Sequence, residues 1–369
     1  MRIVLFRVAL LTALIGNAGP ARADWLQLDP WVDGDTPTVT LVEADASGVT
    51  VEIRFPGVEF SDNEDGEFAH FSLPGGGVTT EIGAPLLPVL REAVRLPQGA
   101  SPALTILATE VDSTSLPELG LADQIWPAQP AVAKLPGAIE AAAFVQDADA
   151  YAVESLGPQG WVGLGEIGQL RAVRLVPLEV FPVRHRPLTG EVELLRRIEL
   201  RVDFIDADWL ATTEMLDRYA TADNEAFAAR HLIAGGPLAP RARVELPMGY
   251  LIIAHDSLVD SVRDLAGYRH RQGFDVTLVA LSQIPGGSSA ASIRAYIEDA
   301  YHGWDVPPSF VLLVGDTGQI PATTGQHCYS ATDLTYSTMD GGGDWLPDLY
   351  LGRFPAASAT DATRMATKP

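Results

Sequence analysis

The chain has 369 residues, of which 47% are hydrophobic, and carries a formal net charge of −23. So acidic a balance argues against nucleic acid or an anionic membrane surface as partner, because both would repel it. A single cysteine, Cys328, excludes an internal disulfide framework and leaves stability to packing and to any bound metal.

Residues 1–23 read as a secretory signal peptide. Arg2 and Arg7 form a basic start, Val8 to Ile15 an apolar run, and Ala21-Arg22-Ala23 a small-residue cleavage site before Asp24. Crossing a bilayer takes about twenty apolar residues, and this run is broken at Asn17, Gly19 and Pro20. No later stretch could span either, since charge, Gly or Pro interrupts each apolar run. The expectation is an exported protein, secreted or held at the cell surface. The remaining length favours two domains over one.

From Thr36 to about Phe204 short runs with β-branched residues at a period of two are punctuated by Gly, Pro and Asp. Thr38–Val42, Val49–Phe55, Ala103–Val111, Leu170–Leu178 and Val192–Phe204 predict strands of a mostly antiparallel β-sandwich. The Pro-rich patch from Leu116 to Pro136 reads as a long connection. Ser61-Asp-Asn-Glu-Asp-Gly66 has the look of part of a calcium loop, but serines stand where its first and last carboxylates belong, so a turn is expected. From Asp208 to Arg230 the period becomes helical, with Leu210, Met215, Leu216, Tyr219 and Phe227 recurring on one side. Gly235, Gly236, Pro237 and Pro240 then mark a linker over residues 234–247, with a β-rich domain before it at 24–233 and another domain after it at 248–369.

Beyond the linker, Leu251–Ala254 is continuously apolar and is followed by Ser257 and Asp260 in capping-box spacing. Leu258, Val262 and Leu265 give one helical face, and Gly273 sits where a C-terminal cap belongs. Val276–Leu281, a helix through Ile293, Tyr296, Ile297 and Ala300, and the apolar Phe310–Val314 complete an alternation of strands and helices. That order predicts a parallel sheet covered on both faces.

Two groups of residues invite chemistry. His327 stands beside Cys328, but neighbours in an extended chain point to opposite faces, and a working thiolate and imidazole are normally brought together from separate segments. An ordinary loop thiol is the expectation. His70, His185, His231, His255, His270 and His302 lack ligand spacing. Asp316 ends an apolar strand, where ligand crevices of open α/β sheets lie. Asp340, Asp344 and Asp348 surround a Gly-rich turn. These acids offer hard oxygens of the kind Ca²⁺ prefers, or they solvate a loop.

The second half resembles the opening of the gingipain catalytic domain in four ordered blocks: Tyr250-Leu-Ile-Ile; Arg271-Gln-Gly-Phe-Asp-Val; Trp304-Asp-Val-Pro-Pro-Ser-Phe-Val-Leu-Leu-Val-Gly-Asp316; and Asp344-Trp-Leu-Pro-Asp-Leu-Tyr-Leu-Gly-Arg-Phe354. The front half is similar to the gingipain propeptide at Gly83-Ala-Pro-Leu-Leu-Pro88, at Val180-Phe-Pro-Val-Arg-His-Arg-Pro-Leu-Thr-Gly190 and at Arg196-Arg-Ile-Glu-Leu-Arg-Val. The resemblance implies a secreted cysteine endopeptidase precursor acting on proteins or peptides, with a caspase-like α/β fold and a β-rich prodomain that contacts it and keeps it latent. It also implies a His and a Cys in a second subdomain, so the chain is expected to stop at Pro369 before its catalytic residues. Calcium positions of the family map onto Asp316, Asp344 and Asp348, with the backbone carbonyl of Leu346. A second reading is a secreted, non-catalytic binding module built from the same two domains.

Overall fold

The computed structural model describes residues 23–368 apart from 64, 133, 240–246, 326–329 and 342. The expected signal peptide, up to Arg22, and the His327-Cys328 pair therefore lie outside the described residues.

The front half is antiparallel throughout its ladders. Glu191–Ile205 is the spine of one sheet, paired along its length with Ser101–Ser115 and on its other edge with Val183–Arg186 and then Gly48–Arg54, beyond which lies Thr38–Ala44. Val192, Leu194, Ile198, Leu200, Val202 and Phe204 point inward. The outward Arg197 and Arg201 join Glu52, Glu199 and Asp203 in an ion-pair ladder. A residue inserted between Leu195 and Arg197 shifts the register, which is how Leu195 is also buried. The second sheet sets Val173–Val180 between Pro88–Leu96 and the short strands Val162–Leu164 and Gly168–Leu170. Its Val94, Leu96, Val176, Leu178 and Val180 share one buried cluster with Val49, Val51 and Ile53 of the first sheet, giving the predicted sandwich. Each such side chain contributes about 1.5–3 kcal/mol of burial, against which exposed ion pairs at about 0–1 kcal/mol are minor.

The expected helix over 208–230 is two helices. Asp208 caps Trp209–Tyr219 by accepting from Ala211 N, and Thr221 starts a second helix, Ala222–His231, by accepting from Asn224 N. The break follows from Thr221, whose extended backbone frees its hydroxyl to satisfy an otherwise orphaned N–H. Ser61 and Asp62 end the strand Gly57–Asp62 rather than opening a calcium loop, and Asn63 accepts from the N–H groups of Glu67 and Phe68 where the chain turns back toward Ala69–Ser72.

In the second half four parallel strands run in the order Asp275–Ala280, Gly249–Ala254, Pro308–Val314, Tyr350–Phe354. Alternate residues of the central strands face opposite sides. Leu251, Ile253, Val311 and Leu313 meet Ile293, Ile297, Ala300 and Tyr301 of the helix Ala290–Gly303. Ile252, Ala254, Leu312 and Val314 meet Val262, Leu265 and Ala362 of the opposite layer. This is the three-layer arrangement that the apolar runs predict. The helix before the second strand begins at Arg263, after two 3-10 turns, so Ser257 does not cap it; His255 instead accepts from Ser257 N to start the first of those turns. Gly273 has the left-handed φ of 98° expected after that helix.

The boundary between the halves is not clean in packing terms. Met215, Leu216 and Tyr219 pack against the α/β core, as does Ala172 from a hairpin of the sandwich. The predicted linker starts as a packed segment: Leu238 is buried in the sandwich core, and its carbonyl accepts from Arg95, which also forms a buried ion pair with Glu225.

His185 is 1% exposed in the sandwich, and neither ring nitrogen has a hydrogen-bond partner. Burial pushes its pKa down to about 4. The unfolded chain takes up the proton near pH 6.5 and the native chain does not, so stability is lost as pH falls from about 6.5 to about 4. His185→Leu is expected to flatten that acid limb of an unfolding-versus-pH curve by about 3 kcal/mol at pH 4; an unchanged limb would mean the ring is protonated at no cost in the native state.

Candidate functional site

The parallel sheet decides which acids can meet. Phe310 pairs with Tyr350 and Val314 with Phe354, so residues just before Pro308 and just before Tyr350 share the amino end of the sheet. Asp348 lies there. Asp316, which follows the strand Pro308–Val314, lies at the carboxyl end, about 20 Å away along seven residues. Asp316 is exposed and caps its own turn: its carboxylate accepts from Thr317 N, and its backbone N–H donates to Gln319 Oε1. It does not join the other acids, because one residue follows its strand and the other precedes a parallel neighbour.

Asp340, Asp344 and Asp348 do converge, with one carboxylate oxygen from each within 4.8 Å of the others. Asp348 is buried at 3% exposure. Its Oδ2 accepts from Met339 N at 2.7 Å and its Oδ1 from Arg171 N at 2.5 Å. Asp344 accepts from Leu346 N at 2.9 Å and from Asp340 N at 3.3 Å, which closes the turn on itself. Burial, then the charge of Asp340, pushes Asp348 up to about 7, against the pull of the two backbone N–H donors. Loss of hydration, then the charge of Asp344, pushes Asp340 up to about 6. Three carboxylates this close disfavour full ionisation, and each shift records that repulsion. An all-oxygen set with spare lone pairs suits a hard divalent cation, and the backbone at Leu346 lies within the same turn. The 340/344/348 spacing was the available sequence signal for Asp340.

Arg171 gave no such signal. It sits at the tip of the hairpin joining Gly168–Leu170 to Val173–Val180, with a left-handed φ of 55° in a turn that usually takes Gly or Asn. That conformation costs a non-glycine residue about 1 kcal/mol. The tip crosses to the amino end of the parallel sheet, where Arg171 is 5% exposed. Its Nε donates to Tyr219 O at 2.7 Å, Nη1 to Pro308 O at 3.0 Å and Asp348 O at 3.2 Å, and Nη2 to Ser309 Oγ at 3.0 Å. The guanidinium lies 5.4 Å from the Tyr301 ring centre and 5.8 Å from that of Tyr219. Asp348 thus serves both the acidic cluster and the contact between the halves.

Comparison with known proteins finds two family models in order along the chain. The model of the C25 propeptide matches residues 30–227, and that of peptidase family C25 matches residues 244–369. Lys-gingipain of Porphyromonas gingivalis is 28% identical over 377 residues, covering 100% of this chain and 21% of its own length. Lys-gingipain HG66 of the same organism is 27% identical over 347 residues, covering 91% of this chain and 20% of its own. The chain therefore spans about a fifth of the length of these relatives. Among solved structures, one described as showing the zymogenic latency of gingipain K from P. gingivalis aligns at 26% identity with a TM-score of 0.43, over 50% of this chain and 100% of that one. A complex of the pro- and mature domains of P. gingivalis RgpB aligns at 15% identity with a TM-score of 0.42, over 53% and 95%.

Proposed function

This chain belongs to peptidase family C25, and from that premise we propose that it is the front of an exported, latent cysteine endopeptidase precursor acting on proteins or peptides. The observation that carries the reading is the order of the two family matches, propeptide before peptidase, over a β-sandwich followed by a parallel α/β sheet. The sandwich acts as prodomain and reaches the peptidase half through Arg171. A non-catalytic binding module of the same architecture is the less favoured reading, since it leaves both matches without a role.

On this reading residues 1–369 hold no complete nucleophile and base. Cys328 is the one thiol, and its neighbour His327 is badly placed along the chain to activate it. The polypeptide of 369 residues is expected to show no thiol-dependent turnover of peptide substrates. Turnover that disappears in Cys328→Ala would overturn this and make His327 and Cys328 the working pair.

We also propose that Asp340, Asp344 and Asp348, with the Leu346 carbonyl, hold a structural Ca²⁺, which would exchange mutual repulsion for coordination and tie the turn to the amino end of the sheet. A ligand bound only by the native state stabilises it by about 2.7 kcal/mol at a hundredfold excess over its dissociation constant. Millimolar Ca²⁺ is expected to raise Tm over chelator by several degrees in wild type and in Asp316→Ala, and not in Asp344→Asn. In chelator at pH 8, Asp344→Asn should melt above wild type, because one of three crowded charges is gone. A calcium response lost in Asp316→Ala and kept in Asp344→Asn would place the ion at the other end of the sheet.

A further inference from the structure

Arg171 is a buried cation with an unusual set of partners. Among the described residues no carboxylate forms a salt bridge with its guanidinium, whose N–H groups and faces meet three backbone carbonyls, one hydroxyl and two aromatic rings, while the Asp348 carboxylate, bound to its backbone N–H, favours the charge from nearby. Those acceptors come from separate elements: Tyr219 O from the end of one helix, Pro308 O and Ser309 Oγ from the start of a strand, and Asp348 O from the acidic turn. Four acceptors shared over all three guanidinium nitrogens suit a branched, planar fork and not a point-like ammonium. Tyr219 and Tyr301 stack on each other with centroids 4.7 Å apart, which fixes the aromatic wall without help from Arg171.

The hairpin that delivers the side chain is locally disfavoured. An arginine occupies a left-handed turn position that glycine would fill without strain, so the local preference has been overridden by the contacts at the end of the side chain. Beside the socket opens a cleft of about 970 Å³ that Arg171 lines, with the four carboxylates of Glu214, Asp217, Asp223 and Asp305 outnumbering its one other cation, Arg218. That acidic lining favours the approach of a cation from solvent.

We propose that Tyr219, Tyr301, Pro308, Ser309 and Asp348 form a guanidinium-binding site, filled in cis by Arg171 and open to an external arginine-type guanidinium when that side chain is absent. The site reads the planar fork rather than positive charge alone. Docking of the sandwich on the α/β sheet then hinges on one exchangeable side chain. This inference is independent of the peptidase reading and shares Asp348 with the calcium reading, using its backbone carbonyl rather than its carboxylate.

The test is chemical rescue in the full chain. Truncating Arg171 at Cβ leaves a space the size of ethylguanidinium, with ethylammonium as the charge-matched control. Arg171→Ala is expected to lower Tm by about 5–10 °C, as loss of a buried hydrogen-bonded cation predicts for a chain of this size. Ethylguanidinium should restore much of that loss saturably, with half-effect at ~1 mM for so small a ligand, and wild type should not respond. Ethylammonium at equal concentration should leave Arg171→Ala unchanged. Equal rescue by both amines, no rescue, or the same gain in wild type would overturn the proposal. Should Arg171→Ala fail to fold, Arg171→Lys decides: a fork-reading site leaves it clearly less stable than wild type, and a Lys variant that melts with wild type contradicts the inference.

Discussion

Everything at the junction of the two halves depends on where the chain places one carboxylate. Asp348 is buried, so its negative charge has to be met, and two of its donors come from different halves of the molecule: Met339 N from the acidic turn and Arg171 N from the sandwich hairpin. Its backbone carbonyl accepts from the same arginine. Removing either donor would leave a desolvated carboxylate beside Asp340 and Asp344, a situation more costly than the loss of an ordinary hydrogen bond. The sandwich therefore belongs to the electrostatics of the α/β sheet.

The location of that carboxylate follows in turn from the handedness of strand order. In a parallel sheet the segment after one strand and the segment before its neighbour lie at opposite ends. Asp316 follows Pro308–Val314 and Asp348 precedes Tyr350–Phe354, so their separation follows once Tyr350–Phe354 is a parallel strand, one not among those expected from the sequence. The mapping from gingipains set Asp316 with Asp344 and Asp348. In this structure Asp340 stands with those two instead.

Much of the architecture was legible because it rests on local pattern. Alternation in Val192–Phe204 and the unbroken apolar run at Leu251–Ala254 each report how many faces of a strand are covered, and the structure covers them so. What was not legible rests on contacts far apart in sequence. The break comes from the cap at Thr221, which a continuing helical period hides, and no period announces the seating of Tyr219 against Tyr301. Arg171 looked like an ordinary strand residue, since neither its left-handed turn nor partners 48 to 177 residues away leave a trace in its neighbours. The sequence could show that two domains exist; it could not show that Ala172, Met215 and Tyr219, all placed before the linker, pack in the core of the second.

The tip of the hairpin at Arg171 is interior to the α/β half, not a loop lying on it. Amide hydrogen exchange of the full chain tests this most directly, because Arg171 N is bound to a buried carboxylate and Ala172 lies in the second core. The account predicts that the Arg171 amide exchanges as slowly as the amides of the central strand Gly249–Ala254, opening only with the larger unit. Exchange at the rate of an exposed turn, with Gly249–Ala254 still protected, would contradict it.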